Sequence, residues 1–494
     1  MKKLISMSVA AAVATTMSFA SSTDDLRAEL EALKKEVAAL KKQTKGLKAK
    51  KIKKQISQLK SAALNDNIKW SVDFRTAYDV IGYKYADGTS DWNQIFTNRL
   101  WLGMGFAPTS NLIFKGTLSY YKMYGQLPDP KMGFNYFDWV VNETPNDGQL
   151  RVKEAYWLYF GDAFLGANIP WTASFGRRPA TDGLLVNYRE DQNPKSPIGH
   201  IINTEFDGAS FKFDLNNVTE IPGMYFKLCM GRGMTNASSR YHGITSNGDG
   251  TYTIDSNAVD YTKVDGAKNV DLAGFIFVPY DDGQYSVHTT AFKAFNLPGM
   301  VDVSPLNSTR GDGVFTFAQV GDIYGAAISF IAEGIGDGIN DMLDDTVLFA
   351  SLAGSKTDPK GNGLNMLGTS DKKSGTSVYL GANWPCQMID DARVGVEYNH
   401  GSKYWRSFTY AEDTLAGSKL AARGDAFEVW FNKELIGKKL TAQLRYTYID
   451  YKYTGSNAFF GDGGTPLTMD EAQAYMMNPV DKAQDIRLYI RYRY

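Results

Sequence analysis

The stretch that decides the fold is DIRLYIRYRY, Asp485 to Tyr494, the last residues of a 494-residue chain. Ile486, Leu488, Ile490, Tyr492 and Tyr494 alternate with Arg487, Tyr489, Arg491 and Arg493. A period of two places the first set on one face of a strand and the second on the other. One face is apolar and its reverse strongly basic. A soluble sandwich would turn its apolar face to a second sheet and its polar face to water. A membrane-spanning barrel would turn the apolar face to lipid and the polar face to a lumen.

The same period recurs along the chain. In IKWSVDFRTAYDV (68–80), Ile68, Trp70, Val72, Phe74, Thr76, Tyr78 and Val80 share one face, and Lys69, Ser71, Asp73, Arg75, Ala77 and Asp79 the other. Leu100, Leu102, Met104 and Phe106 oppose Arg99, Trp101, Gly103 and Gly105. After the turn APTSN, Leu112, Phe114, Leu118 and Tyr120 oppose Lys115, Thr117 and Ser119. No long amphipathic helical pattern follows residue 66.

Connection lengths favour the barrel. With about 16 strands (14 to 18), one set of connections is short: 107–111, 161–169, 216–221, 280–284, 334–345, 385–391 and 432–438. The other is mostly long: 81–94, 125–149, 179–207, 232–269, 297–321, 355–375, 400–424 and 454–484. Short turns at one end and long loops at the other are the barrel pattern, for which a sandwich has no reason. The segment VFTFAQV (314–320) is assigned to a long loop, because a further strand there would reverse every later alternation. Tyr83, Tyr85, Trp92, Tyr446, Tyr448 and Tyr451 sit at strand ends, where an interfacial aromatic girdle belongs. The expected fold is an all-β transmembrane antiparallel barrel.

Composition agrees: 29 Tyr, 27 Phe and 47 Gly against 16 Pro suit many strands and turns. The two cysteines, Cys229 and Cys386, are expected to be unpaired thiols rather than one long-range disulfide. The net charge of −1 conceals an asymmetry. Residues 1–62 hold 14 Lys and Arg against 5 Asp and Glu; the remainder hold 39 against 49.

That basic head begins with MKKLISMSVAAAVATTMSFA (1–20), which reads as a secretory signal cleaved near Ala20–Ser21. It is too short to span a bilayer. Residues 21–64 then read as a coiled-coil segment. Leu26, Leu30, Leu33, Val37, Leu40, Thr44 and Leu47 keep a heptad, and the frame slips after Gly46 before Ile52, Ile56, Leu59 and Ala63. Residues 41–60 carry nine lysines and no acid. Their alternatives are a solvated face or contact with an anionic envelope component, peptidoglycan or lipid head groups. A helix this short is expected to oligomerise rather than stand alone. Export excludes nucleic acid as a partner. The barrel is expected over 65–494.

The facing rule gives the expected pore lining: Arg75, Arg99, Lys115, Arg393, Glu397, Arg445, Arg487, Arg491 and Arg493. Two readings stand. The cations make an anion-attracting lumen, or Asp73, Glu397 and Glu428 neutralise them in a salt-bridged wall. The third long loop, RPATDGLLVNYREDQNPKSPIGHIINTEFDG, carries Arg178, Asp182, Arg189, Glu190, Asp191 and Lys195, charges able to set a transverse field if it enters the lumen. Arg177 and Arg178 stand at its root as the best selectivity candidates. Enzyme signatures are absent: His200, His242, His288 and His400 show no metal spacing, and HExxH, P-loop, GxSxG and haem motifs do not occur. No cofactor or metal is expected.

With signal, coil, barrel and terminal strand in place, the chain resembles the outer-membrane porins of Gram-negative bacteria over its whole length. Within them it is similar to a poorly characterised porin-like family with an N-terminal coiled coil, including the stretch FGRRPATDG (175–183). The resemblance implies an outer-membrane barrel in contact with lipid, a periplasmic coil and a homo-oligomer, a trimer. It also implies that the last strand is read by the barrel-assembly machinery, where Tyr494 replaces the usual Phe, and that loop 179–207 narrows the lumen. The expected function is passive diffusion of small hydrophilic or ionic solutes, with weak anion preference. The alternative is an envelope tether, a sealed barrel anchoring a coil that grips the cell wall.

Overall fold

A computed structural model describes residues 68–124, 149–178, 183–237, 243–257, 261, 263, 268–302, 315–335, 338–361, 363–409, 412–456 and 464–494. The signal, the coil and Asp182 lie outside the described residues. The barrel belongs to a compact unit, Asn67–Tyr494.

Sixteen strands close into one antiparallel barrel. They are β1 Lys69–Tyr85, β2 Ser90–Thr109, β3 Leu112–Met123, β4 Arg151–Gly161, β5 Trp171–Arg178, β6 Phe206–Asp214, β7 Tyr225–Met234 and β8 Val270–Asp281. There follow β9 Tyr285–Asp302, β10 Phe315–Glu333, β11 Val347–Pro359, β12 Ser374–Pro385, β13 Ala392–Gly401, β14 Gly424–Ile436, β15 Leu440–Tyr451 and β16 Val480–Arg493. Each pairs with the next, and β16 pairs with β1 from Asp73 opposite Arg493 to Lys84 opposite Lys482. Closure leaves no free edge, which is the requirement for strands in lipid.

Alternation on β16 is as the sequence requires. Leu488 is 51% exposed on the outside, whereas Arg487 on the inside is 0% exposed. Ile486, Ile490 and Tyr492 continue the outer face, joined across the wall by exposed Leu444 and Tyr446 of β15.

Two expected loops are largely strand. Residues 315–320 are not loop: Phe315 onward belongs to β10, paired with β9 back to Asp302. They prolong a strand rather than adding one, so the loop alternation survives. Likewise β1 and β2 run on to Tyr85 and from Ser90, leaving 86–89 as the turn in place of a loop over 81–94. The girdle also loses two members. Tyr83 turns inward and donates to the Leu415 carbonyl at 3.4 Å, and Tyr451 is buried. Trp92 and Tyr446 are exposed, as a girdle needs.

β5 breaks the two-residue period. Phe175 stacks on exposed Trp157 outside the barrel (centroids 4.7 Å apart), yet Arg177 binds a buried carboxylate inside it. Between them Gly176 adopts φ of 127°, and a Cβ there would lie 2.2 Å from the Ala155 carbonyl oxygen. A left-handed glycine thus turns the strand before its loop begins.

Candidate functional site

Two of the long connections fold into the barrel rather than away from it. The first, described over 183–205, is rich in apolar residues for a connection. Leu184, Leu185, Val186, Ile198, Ile201 and Ile202 are buried against wall residues of β8 to β12, among them Phe292, Ile323, Ile331 and Phe349. Residues 183–184 and 195–198 pair as two short parallel strands, and a 3-10 turn covers Val186–Tyr188. The second, described over 402–409 and 412–423, adds Trp405, Phe408 and Leu420 to the same cluster. The Asn203 amide donates to the Phe408 carbonyl and the Phe408 amide to the Ile201 carbonyl, so the two segments are joined by backbone.

The first segment runs from the long-loop end to the short-turn end. Its tip residue Asp191 meets Lys438 (3.3 Å) in the β14–β15 turn and Arg493 (3.2 Å) at the end of β16. Tyr188 donates to Glu333 at 2.6 Å. Between these ends, buried His200 is held by Ser351 (2.9 Å) and Ser377 (2.8 Å) on β11 and β12. Burial pushes its pKa down to about 3, so the ring stays neutral.

The charged side chains gather on the other half of the wall, β13 to β2. Like charges stand directly opposite there: Glu397 faces Glu428, Arg445 faces Arg487, and Arg75 faces both Arg99 and Arg491. Such pairs repel in a bare sheet. The loops supply the counter-ions. Arg189 reaches Glu428 at 3.1 Å, and Lys419 bridges Glu428 and Glu397. Glu428 also accepts from Thr447 at 2.7 Å. Glu190 meets Arg445 and Arg491, each at 3.6 Å, and accepts from Tyr489 at 3.1 Å. Asp413 sits among Arg75, Arg487 and Arg99. Burial pushes the Asp413 carboxyl up, but Arg75 first, then Arg487 and Arg99, more than reverse this and hold it well below the usual range. Its neighbour Glu412 has no such cage, and burial pushes it up to about 7.

The members of the expected pore-lining set differ in burial. Arg75, Arg99, Glu397, Arg445, Arg487 and Arg491 are buried under the two segments. The salt-bridged reading of the wall is the one found, with Asp73 on Arg491 and Asp79 on Arg487. Lys115 is exposed, and Arg393 is half-buried against Asn383 and the Asp345 carbonyl. Arg177 joins Lys153 on buried Glu205 (3.0 and 3.2 Å), while Lys195 pairs with Glu154. Arg178 closes β5 opposite Phe206. Arg189 and Glu190 are buried, and Asp191 is exposed. The sequence reading missed Glu205, His200, Glu412, Asp413 and Lys419. It treated 400–424 as an outward loop, although the run from Leu415 to Ala422 is unusually apolar for one. Cys229 and Cys386 form no disulfide. Among the described residues no group of three His, Cys, Asp or Glu side chains is placed to hold a metal ion.

Comparison with known proteins gives one family. The family described as "Protein of unknown function (DUF3373)" matches residues 89–494. No curated protein matches. Solved structures similar to the chain include the trimer form of OmpT, an outer membrane protein of Vibrio cholerae, at 12% identity and TM-score 0.43, covering 87% of this chain and 99% of that one. OprB of Pseudomonas putida is 13% identical, with TM-score 0.44 and coverage of 88% and 96%. OmpF of Salmonella typhi, in complex with daunomycin, is 9% identical, with TM-score 0.43 and coverage of 87% and 99%.

Proposed function

The chain belongs to that family, DUF3373, and from its geometry we propose that it forms an outer-membrane channel for small hydrophilic or ionic solutes, closed by two inward loops. The observation that carries this reading is the chemistry of the seam between loops and wall. A closed barrel with an apolar exterior is suited to lipid. Its interior on β13 to β2 meets the loops through ion pairs, whereas β8 to β12 meet them through apolar side chains. A buried ion pair adds little net stability compared with well-packed apolar residues, and it suits an interface that has two states. Separation of the loops from that half would expose a wall with acids on β13 and β14 and, on β15, β16, β1 and β2, arginines in excess of the Asp73 and Asp79 that pair with Arg491 and Arg487. Solutes passing there would meet a transverse field.

The filled lumen favours one other reading, a sealed barrel that anchors an envelope tether. Planar-bilayer recording of refolded protein separates them. Stepwise conductance is expected, with a closed level occupied most of the time. Silence at all voltages and at pH 5, 7 and 8, with heat-modifiable folded barrel present, would sink the channel.

A further inference from the structure

We propose that Arg75, Arg99, Arg487 and Tyr121 form a binding site for the carboxylate group of a passing solute, and that Asp413 of the inward loop occupies it as an internal stand-in. The four side chains come from β1, β2, β16 and β3, all on the lumen face. Asp413 Oδ1 accepts from Arg75 Nη2 at 2.9 Å and from the Tyr121 hydroxyl at 3.2 Å. Oδ2 accepts from Arg75 Nη1 and lies 3.2 Å from Arg487 Nη1 and 3.6 Å from Arg99 Nη1. Two of the planar forks thus converge on one carboxylate with a third behind them, an arrangement arginine makes and lysine does not.

Three features separate this cage from an ordinary buried ion pair. First, it is over-provided with donors. Arg99 is 2% exposed, yet its Nε and Nη2 hydrogen-bond to nothing among the described residues, and the same holds for Arg75 Nε and Arg487 Nη2. Unmet guanidinium nitrogens at one place mark a site shaped for more acceptor oxygens than Asp413 brings. Secondly, the arginines are fixed without it. Arg99 lies 3.6 Å over the Trp101 ring, Arg75 lies between the Tyr121 and Tyr489 rings, and Arg487 is held by Asp79. The wall is therefore pre-organised for an anion when the loop is away. Thirdly, Asp413 reaches the cage on a residue with φ of 58°, a left-handed backbone that aspartate tolerates better than most. The loop offers a carboxylate on a tight turn, the shape of a small free acid.

The inference rests on the channel reading only for the route by which a solute arrives; binding can be read without conduction. The test is acetate binding by full-length protein in detergent, followed by Trp fluorescence and by calorimetry, with chloride and inorganic phosphate at matched ionic strength as controls. Asp413→Ala is expected to bind acetate at least about tenfold more tightly than the wild type, because the tethered carboxylate competes at millimolar effective concentration or above. In bilayers, acetate but not chloride is expected to restore the wild-type closed level of Asp413→Ala. Arg99→Gln added to that variant should weaken acetate binding at least about tenfold. Should Asp413→Ala not fold, Asp413→Asn serves, and should neither fold, Arg99→Gln in the wild type must still lower acetate affinity. Equal responses to acetate and chloride, or affinity unchanged by Arg99→Gln, overturn the site. Preference for phosphate over acetate overturns the carboxylate class. Acetate binding by a barrel that never conducts would leave the site standing and remove the channel.

Discussion

Glu412 offers a direct measure of how firmly the second loop is seated. It is 1% exposed and its Oε1 accepts from the Leu420 amide at 3.2 Å, while Oε2 has no partner among the described residues. Lys419 and Arg189 are the cations that face it, one from each loop, and neither offsets the burial that raises it to about 7. A carboxyl with a raised pKa holds its proton more tightly seated than released. Seating is therefore strongest below the ordinary value of 4.5, weakens as pH rises from there to about 7, and is level above. The interval of about 2.5 pKa units corresponds to roughly 3.4 kcal/mol, or about three hundredfold in the seating equilibrium. Glu412→Gln keeps the shape and removes the proton. Open probability of single channels, or protease cleavage within 402–423, would be followed from pH 5 to pH 8 for both proteins. The wild type, relative to Glu412→Gln, should gain openness by about two orders of magnitude over that range. Parallel pH curves for the two proteins would refute the assignment of Glu412 as a buried, uncompensated acid.

Three further outcomes follow from the same geometry. His200, held neutral by burial, makes the first segment acid-sensitive: seating is fully favoured above pH 6.5 and falls toward pH 3, by about 2 kcal/mol between pH 6.5 and 5, a slope that His200→Gln should abolish in protease protection of 183–205. Arg189→Met alone leaves buried Glu428 short of a partner and should cost the seat about 3–5 kcal/mol, whereas Arg189→Met with Glu428→Gln should recover more than half of that; strict additivity would show that the two do not act as a pair. Gly176→Ala places a side chain in left-handed backbone against the Ala155 carbonyl, so the yield of heat-modifiable folded barrel should fall severalfold, and an unchanged yield would show that the turn in β5 is dispensable.

The fold was legible because lipid enforces a period of two on one face, whatever the lumen face carries. Leu488 and Arg487 show both halves of that rule on adjacent residues. For the connection after β5 the sequence left two readings open, an inward loop by position and an external cap. The second inward segment was not legible. Its charged residues read as solvated loop until their partners are known: those of Asp413, Arg75 and Arg99, lie hundreds of residues away, and those of Lys419, Glu397 and Glu428, are near in sequence but meet it only if the segment folds inward. The reversal at Arg177 was hidden for a different reason. Alternation counts residues, and only the backbone angle of Gly176 shows that the count restarts.

The two halves of the lumen act as a comparison within one molecule. Both are filled by the same pair of segments, so both meet the same demand to exclude water from a wall. On β8 to β12 the demand is met with Leu184, Ile201, Phe292 and Phe349, which bury area without needing partners. On β13 to β2 it is met by setting Glu397 opposite Glu428 and Arg75 opposite Arg99 and Arg491, like charges answered in part by Asp73 and Asp79 of β1 and otherwise by loop residues of the opposite sign. A lumen sealed for good would gain by extending the first solution around the ring. The second makes the wall's own strands dependent on loop charges, and loop charges respond to protonation, to field and to competing solutes. In the channel proposed above, the charged half would be the side on which the loops part, and the apolar half the hinge against which they lean.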